Sequence, residues 1–406
     1  MRRLLLSSIL VAVAGIFSLS VAVYLHAENV SDKTLKIGAI VDLTGPNAAQ
    51  GRLNLKGMED YFRYLNETTS GISGRPFSLR VIDGGAKLSN ALKDVEKFCN
   101  SENISISAIY STGNSERIKA VFLKFKIPHI DAPHCRKSLS PPASYAYLPF
   151  EGTTLNCYAI LQYIEMIHLG PAPPRVGILS ADNACGKSIH GPSKRYASKH
   201  RVEIVAVEQF TPGTHDLKPA MVKFRDMGAE YIFMQCTGID AVTAFRSADR
   251  IHYNVPFFST WKLVDTDFLN RGKTLIRRRT NISFPGCLPE DGTPGINLIK
   301  ILMDRYKSVS TFHTAYWEGV SIAAVMARAL QRAQEKLGKI DGETVNLALE
   351  TFQNEDFGEL IPEITYTNAN HRASFVTRLA RVNKNGTFMP LTNFWNPTRE
   401  KVTILP

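Results

Sequence analysis

The sequence predicts an α/β protein of two similar lobes, each a largely parallel sheet covered by helices. Three observations carry this. Strand-like apolar runs alternate with amphipathic helical runs every 25 to 35 residues or so, roughly the rhythm of parallel strands joined by right-handed crossovers. A composition break, Gly170-Pro171-Ala172-Pro173-Pro174, divides the chain, and the same rhythm restarts beyond it. With 406 residues, 44% of them hydrophobic, the chain can bury a large core and divide into two domains.

The organising stretch is 35–57. Residues 35–43 are almost wholly apolar, as in a parallel strand covered on both faces, with Asp42 near the carboxyl end. Thr44-Gly45-Pro46-Asn47 supplies turn and cap chemistry, after which Leu55, Met58, Phe62 and Leu65 recur on one helical face. In open α/β sheets such a strand-to-helix corner turns free N–H groups and the positive helix end toward a ligand. A Gly/Pro turn at 71–76 leads to a strand at 77–83, a helix at 88–98, a strand at 104–110, a helix at 116–126 and a strand at 128–132. A strand-like 145–150 and a helix at 154–168 precede the break. Beyond it, strands are expected at 175–180, 203–210, 231–235 and 255–259, with helices at 186–199, 217–227 and 240–250. A strand at 281–287, helices at 296–306, 314–337 and 342–352, and β-prone runs at 373–382 and 402–405 complete the chain.

Met1-Arg2-Arg3, an apolar run at 4–25 and His26-Ala27-Glu28 have the layout of a secretory signal peptide covering 1–27, which implies export. The run is long enough to span a bilayer, so an uncleaved anchor is the alternative. The formal charge of +11 comes from scattered basic residues, with only Arg277-Arg278-Arg279 in a tight run. Without zinc-knuckle spacing or an aromatic-basic stretch, nucleic-acid binding has no support. The six cysteines are an even number in an oxidising compartment. Pairing and apolar burial as free thiols both remain open, and their long intervals do not fit a structural metal.

Catalytic patterns are absent: there is no GxSxG, HExxH, GxxxxGK[ST] or GxGxxG. His134 and Cys135 adjoin a strand end, but sequence neighbours on an extended chain point apart, which favours a packing or wall role over a nucleophile and its base. What stands out is a set of small polar loops at the carboxyl ends of strands: 44–51, 111–115, 132–135, 181–186 and 236–240. Each alone is an ordinary βα connection. Split between two lobes, they describe a cleft, in which Ser111, Thr112, Ser115 and nearby N–H groups can hold a carboxylate without a cation.

These residues resemble the periplasmic type I substrate-binding proteins of the leucine/isoleucine/valine-binding kind. Thr44, Gly45, Pro46, Gly51, Gly57, Asn66, Gly71, Ile72, Gly74, Arg75 and Asp83 fit that family's opening pattern. The segment 181–186 is similar to its D-x-x-Y-G segment, and 313–330 to its late helix. The resemblance covers nearly the whole chain after residue 27. It implies two Rossmann-like lobes joined by three crossovers, 34–152 plus 284–372 and 153–283 plus 373–406. A small ligand, an amino acid or a related carboxylate or amide, is then captured by hinge closure without a cofactor and delivered to an ABC-type permease.

Carried over by position, Gln50 takes the place of an aromatic wall residue, and Thr112, with Ser111 and Ser115, lies at the carboxylate site. His134 and Cys135 stand where that site is completed. Cys185, beside Asp182, replaces a tyrosine. Asp240, or failing that Gln235, with Thr237 nearby, is nearest to the acid for the ligand's ammonium group. The replacements at Gln50 and Cys185 remove apolar walls and favour a polar ligand. A membrane-tethered sensor of the same fold is the rival reading, and a cleft enzyme using His134, Cys135 and Asp240 the remote one.

Overall fold

The computed structural model describes residues 34–405 apart from positions 46, 86–87, 102, 112–114, 132–138, 140–144, 151, 265, 273–274, 276–279, 374 and 384. The signal peptide expected at 1–27 and the arginines at 277–279 therefore lie outside the described residues.

The first part of the chain forms β1 (Leu35–Val41), α1 (Ala48–Thr69), β2 (Phe77–Asp83), α2 (Leu88–Ser101), β3 (Ser107–Tyr110), α3 (Ser115–Lys124), β4 (His129–Asp131) and β5 (Ala146–Tyr147). The middle forms α4 (Thr153–Ile167), β6 (Arg175–Ala181), α5 (Ala184–Lys187), α6 (His190–Ala197), β7 (Glu203–Phe210), α7 (Lys218–Asp226), β8 (Tyr231–Gln235), α8 (Gly238–Arg250) and β9 (Phe257–Thr260). A 3₁₀ turn (Trp261–Leu263), α9 (Thr266–Gly272) and β10 (Thr280–Phe284) follow. Last come α10 (Pro294–Tyr306), α11 (Thr314–Leu337), α12 (Gly342–Glu350), β11 (Arg378–Val382) and β12 (Phe388–Pro390).

Two sheets result. The first, ordered β2-β1-β3-β4-β5, is wholly parallel, and β1 pairs with β2 from Leu35–Phe77 to Val41–Asp83. Alternation along β1 feeds two cores. Ile37, Ala39 and Val41 meet Met58 and Phe62 of α1 and Tyr316 and Val320 of α11, while Ile40 meets Val95 and Phe98 of α2 and Ile118 and Phe122 of α3. The second sheet is ordered β12-β11-β10-β9-β8-β6-β7. It is parallel except at one end, where β11 runs antiparallel to both β10 and β12. The chain passes between lobes three times: after β5, after β10 and before β11. Two of these passages are tied together, Leu148 N–H donating to His371 O (3.0 Å) and Ala373 N–H to Leu148 O (2.9 Å).

The first lobe is braced where α1 crosses α11 backbone to backbone. A Cβ on Gly57 would sit 2.2 Å from the Tyr316 carbonyl oxygen, and one on Gly319 1.9 Å from that of Asn54. Beside this crossing the Asp60 carboxylate accepts from the Tyr316 hydroxyl (2.8 Å) and the Ser308 hydroxyl (2.9 Å). Burial raises the Asp60 pKa despite those bonds.

Departures from the sequence reading have local causes. The helix expected at 186–199 is two, α5 and α6, because Pro192 has no N–H to return to the Ser188 carbonyl. The strand expected at 104–110 is regular only from Ser107, although Gly38 N–H still donates to Ile106 O (2.9 Å). At 402–405 no strand forms, and one bridge joins Thr392 to Ile404. Neither α9 nor the 3₁₀ turn was expected, since neither is long enough to display a period.

Candidate ligand-binding cleft

The corner after β1 is held by one carboxylate. Asp83 accepts from the N–H groups of Leu43 (2.9 Å), Thr44 (3.3 Å) and Gly85 (2.9 Å) and from the Thr44 hydroxyl (2.7 Å). Partial burial alone would raise its pKa, but these bonds outweigh it and hold the group below its ordinary value. The first turn of α1 is thereby fixed, and with it Gln50.

Gln50 joins the lobes. Its Nε2 donates to the Lys262 carbonyl oxygen (3.0 Å) and its Oε1 accepts from the Tyr110 hydroxyl (3.3 Å). Tyr110 ends β3, whereas Lys262 lies in the 3₁₀ turn after β9. The Lys262 ammonium stands 5.6 Å from the Tyr110 ring centroid, 6.0 Å from that of Trp261 and 3.8 Å from Glu318 Oε1. The Glu318 side chain is 1% exposed and that of Lys262 18%. A carboxylate in an apolar helix persists only beside compensating charge and donors, and here the cation comes from the other lobe. The Thr314 hydroxyl donates to the Val264 carbonyl (2.9 Å), which seats the 3₁₀ turn against the start of α11.

The strand-end residues of the second lobe are equally polar. Gln235 Nε2 donates to Cys185 Sγ (3.5 Å), and its Oε1 accepts from the Thr260 hydroxyl (3.3 Å). Cys185 is exposed on α5, which Asn183 caps through Gly186 N–H (2.8 Å). Asp182 is exposed and paired with Lys187 (2.5 Å). Asp240 is 2% exposed, with one oxygen on Gly213 N–H (2.9 Å) and the other on the Thr237 hydroxyl (2.8 Å), so its carboxylate clasps the turn after β7.

The structure thus brings Cys185 to Gln235 and Thr237 to Asp240, and it sets Gln50 against the second lobe. Ser111 is buried, its hydroxyl donating to Gly84 O (3.2 Å), and Ser115 heads α3. Thr112, His134 and Cys135 lie outside the described residues. Cys99, Cys157, Cys185, Cys236 and Cys287 are free thiols, and burial pushes those of Cys99, Cys157 and Cys287 up to about 12. Among the described residues no helix is long and apolar enough to cross a membrane. Nor do His, Cys, Asp or Glu side chains cluster there in a way that could hold a metal ion.

Residues 34–387 match the family described as periplasmic binding protein. The chain belongs to that family. No curated protein sequence matches it, but many solved structures share its fold. One is a branched-chain amino acid ABC transporter from Thermus thermophilus with bound valine: 22% identity, 89% of this chain and 96% of that one covered, TM-score 0.81. Another is a fatty acid ABC transporter substrate-binding protein from Thermomonospora curvata, at 17% identity, 92% and 96% coverage and TM-score 0.80. A third is a branched-chain amino acid transporter substrate-binding protein from Streptococcus pneumoniae in complex with isoleucine, at 16% identity, 88% and 99% coverage and TM-score 0.74.

In this periplasmic binding protein, sequence reasoning passed over Tyr110, Trp261, Lys262 and Glu318. Two signals were there to find. Ser259-Thr260-Trp261-Lys262 is a further polar connection after a strand, like the five that drew attention. Glu318 is a lone acid inside the apolar run of α11, a placement that calls for a partner.

Proposed function

We propose that this periplasmic binding protein is an exported, non-catalytic solute-binding component that captures a small polar amino acid, or a related carboxylate or amide, between its lobes and passes it to an ABC-type permease. The lobes are taken as 34–152 plus 284–372 and 153–283 plus 373–406. One observation carries the reading of a polar ligand. The groups at which the lobes meet are an amide, a phenol and a lysine (Gln50, Tyr110 and Lys262), with a second amide, Gln235, on the facing wall. A ligand with its own donors and acceptors can add to these bonds or exchange with them, whereas an apolar side chain offers such groups nothing.

Calorimetric titration of the exported chain with amino acids, amides and small carboxylates is expected to give at least one saturable ligand, recovered unchanged afterwards. Replacing Gln50→Ala together with Lys262→Met should weaken that ligand by at least about tenfold, which corresponds to 1.4 kcal/mol or more. Undiminished affinity in the double variant would remove these residues from the site, and turnover of the ligand would overturn the non-catalytic reading.

A further inference from the structure

Of the passages between the lobes, the first and third lie side by side. Besides the two backbone bonds that join Leu148 to His371 and Ala373, the Leu148 carbonyl accepts from the Tyr366 hydroxyl (3.0 Å). The third passage is therefore held against the first lobe as far as Ala373, shortly before β11 begins. At its centre is the His371 ring, 1% exposed and lying flat on Tyr147 of β5, with centroids 4.0 Å and planes 11° apart. Its Nδ1 stands 3.1 Å from the Ala146 carbonyl oxygen. A carbonyl only accepts, so Nδ1 carries the hydrogen, and in the neutral ring Nε2 holds a lone pair. Nε2 has no hydrogen-bond partner among the described residues, and Glu350 Oε1, at the end of α12, is 3.4 Å away. In the neutral ring no hydrogen lies between these two acceptors.

The surroundings decide what a proton does there. From α12 the ring meets the Glu350 carboxylate, which also accepts from Asn346 Nδ2 (3.2 Å). From β5 it meets the Tyr147 phenol, whose hydroxyl donates to Asn346 Oδ1 (2.9 Å), and Tyr366 of its own passage packs edge-on against Tyr147. Tyr145, just before β5, is within electrostatic reach of Glu350, Glu343, Asp341 and Lys126, and the last of these is paired with Glu343 (2.6 Å). His129 lies beside Ala146 in register but stacks on Phe122, on the sheet's other face. Burial outweighs the Ala146 carbonyl and Glu350, and it holds the imidazole below its ordinary value. A ring freed into water titrates near about 6.5. Above that pH the ring is neutral in either place. Below it, the freed ring takes up a proton that the buried ring resists, so release is favoured as pH falls.

We infer that His371, seated between Tyr147, Ala146 and Glu350, is an acid-released catch on the interlobe hinge: seated, it pins the third passage to the first lobe, and released, it lengthens the hinge and gives the lobes wider travel. Every side-chain partner of the ring belongs to the first lobe, whereas the chain beyond it enters the second sheet at β11. The catch concerns the hinge alone and holds whatever solute the cleft takes.

The test is hydrogen exchange at the Leu148 and Ala373 amides of the exported chain, without added solute, at pH 7.5 and pH 5, each rate divided by the intrinsic rate at that pH. Protection of both amides is expected to fall about tenfold or more at pH 5, as a freed imidazole titrating near about 6.5 requires. In His371→Phe, which keeps an aromatic ring against Tyr147 and cannot titrate, the fall should vanish. A fall of equal size in that variant would place its cause elsewhere and overturn the catch. Glu350→Gln, at a partly exposed helix end, removes the carboxylate that favours the proton in the seated ring, so the fall should deepen at least twofold. This second variant keeps the test decisive if His371→Phe does not fold. Small-angle scattering reads the travel: the parent's radius of gyration should rise at pH 5 and that of His371→Phe stay constant. Protection that is constant or higher at pH 5, the same profile in the parent and Glu350→Gln, or a constant radius in the parent overturns the proposal.

Discussion

Replacing His129 by leucine should flatten the acid limb of the stability curve. The ring lies in β4, 1% exposed and stacked on Phe122 with centroids 5.5 Å apart, and neither ring nitrogen has a hydrogen-bond partner among the described residues. Burial, reinforced by the Lys119 charge, pushes its pKa down to about 3. In the unfolded chain an imidazole titrates near about 6.5. As pH falls the unfolded state takes up the proton first, so stability fully present above about 6.5 is lost progressively as pH drops through the folded value. Between those limits, at 1.36 kcal/mol per pH unit, the loss amounts to on the order of 5 kcal/mol, of which about 3 kcal/mol falls between pH 7 and 4. Leucine removes that loss. It also removes a buried ring without hydrogen bonds, a cost of about 1–3 kcal/mol, so the variant should be at least as stable as the parent at pH 7. Urea unfolding followed by circular dichroism at pH 7, 6, 5 and 4 measures both curves. Their difference should widen by about 3 kcal/mol toward pH 4. Parallel curves would refute the argument, because they would mean that this imidazole titrates alike in both states.

Three further outcomes follow from the packing and the charges. Gly57→Ala would set a methyl group 2.2 Å from the Tyr316 carbonyl oxygen, which backbone cannot move aside. The overpacking should cost roughly 1–3 kcal/mol and lower the melting temperature by roughly 3–10 °C in differential scanning calorimetry, and an unchanged transition would rule out the tight helix crossing. Asp83→Asn should lose about 1–3 kcal/mol at pH 7, where the charged acceptor is present. Since the folded pKa is lowered, that advantage exists above about 4 and vanishes as pH falls through the folded value, so parent and variant should converge in acid unfolding. With a thiol reagent at pH 8, exposed Cys185 should react first, while Cys99, Cys157 and Cys287, held up to about 12 by burial, react only on unfolding; equal rates for all would contradict that burial.

The lobes and their order of elements were legible because long elements carry their period in the residues. Strands at 77–83, 203–210 and 231–235 and the helix at 314–337 fall at the expected residues, each having enough apolar positions to display its face. The antiparallel end of the second sheet was not legible, since β11 and β12 are short and their pairing is set by a turn rather than by a crossover helix. The cleft was partly legible. Polar loops at strand ends marked 44–51 and 236–240, and the family resemblance singled out Gln50, Gln235 and Asp240 in or beside them. What they touch could not be read: Gln50 meets Lys262 across more than two hundred intervening residues, and Asp240 spends both oxygens on its own lobe. Such pairings depend on how the two sheets face each other, and no local pattern encodes that.

The glycine crossing of α1 and α11 has a mechanical consequence for recognition. Gln50 lies about two turns before Gly57 on one helix, and Glu318 immediately precedes Gly319 on the other. Since the two backbones touch at those glycines, these side chains ride on a single stiff jaw whose internal spacing cannot open or close. For a solute held as proposed at Gln50 and Lys262, any adjustment of the gap to its size would come, in the manner of a caliper, from the opposite jaw, through the turn that carries Lys262.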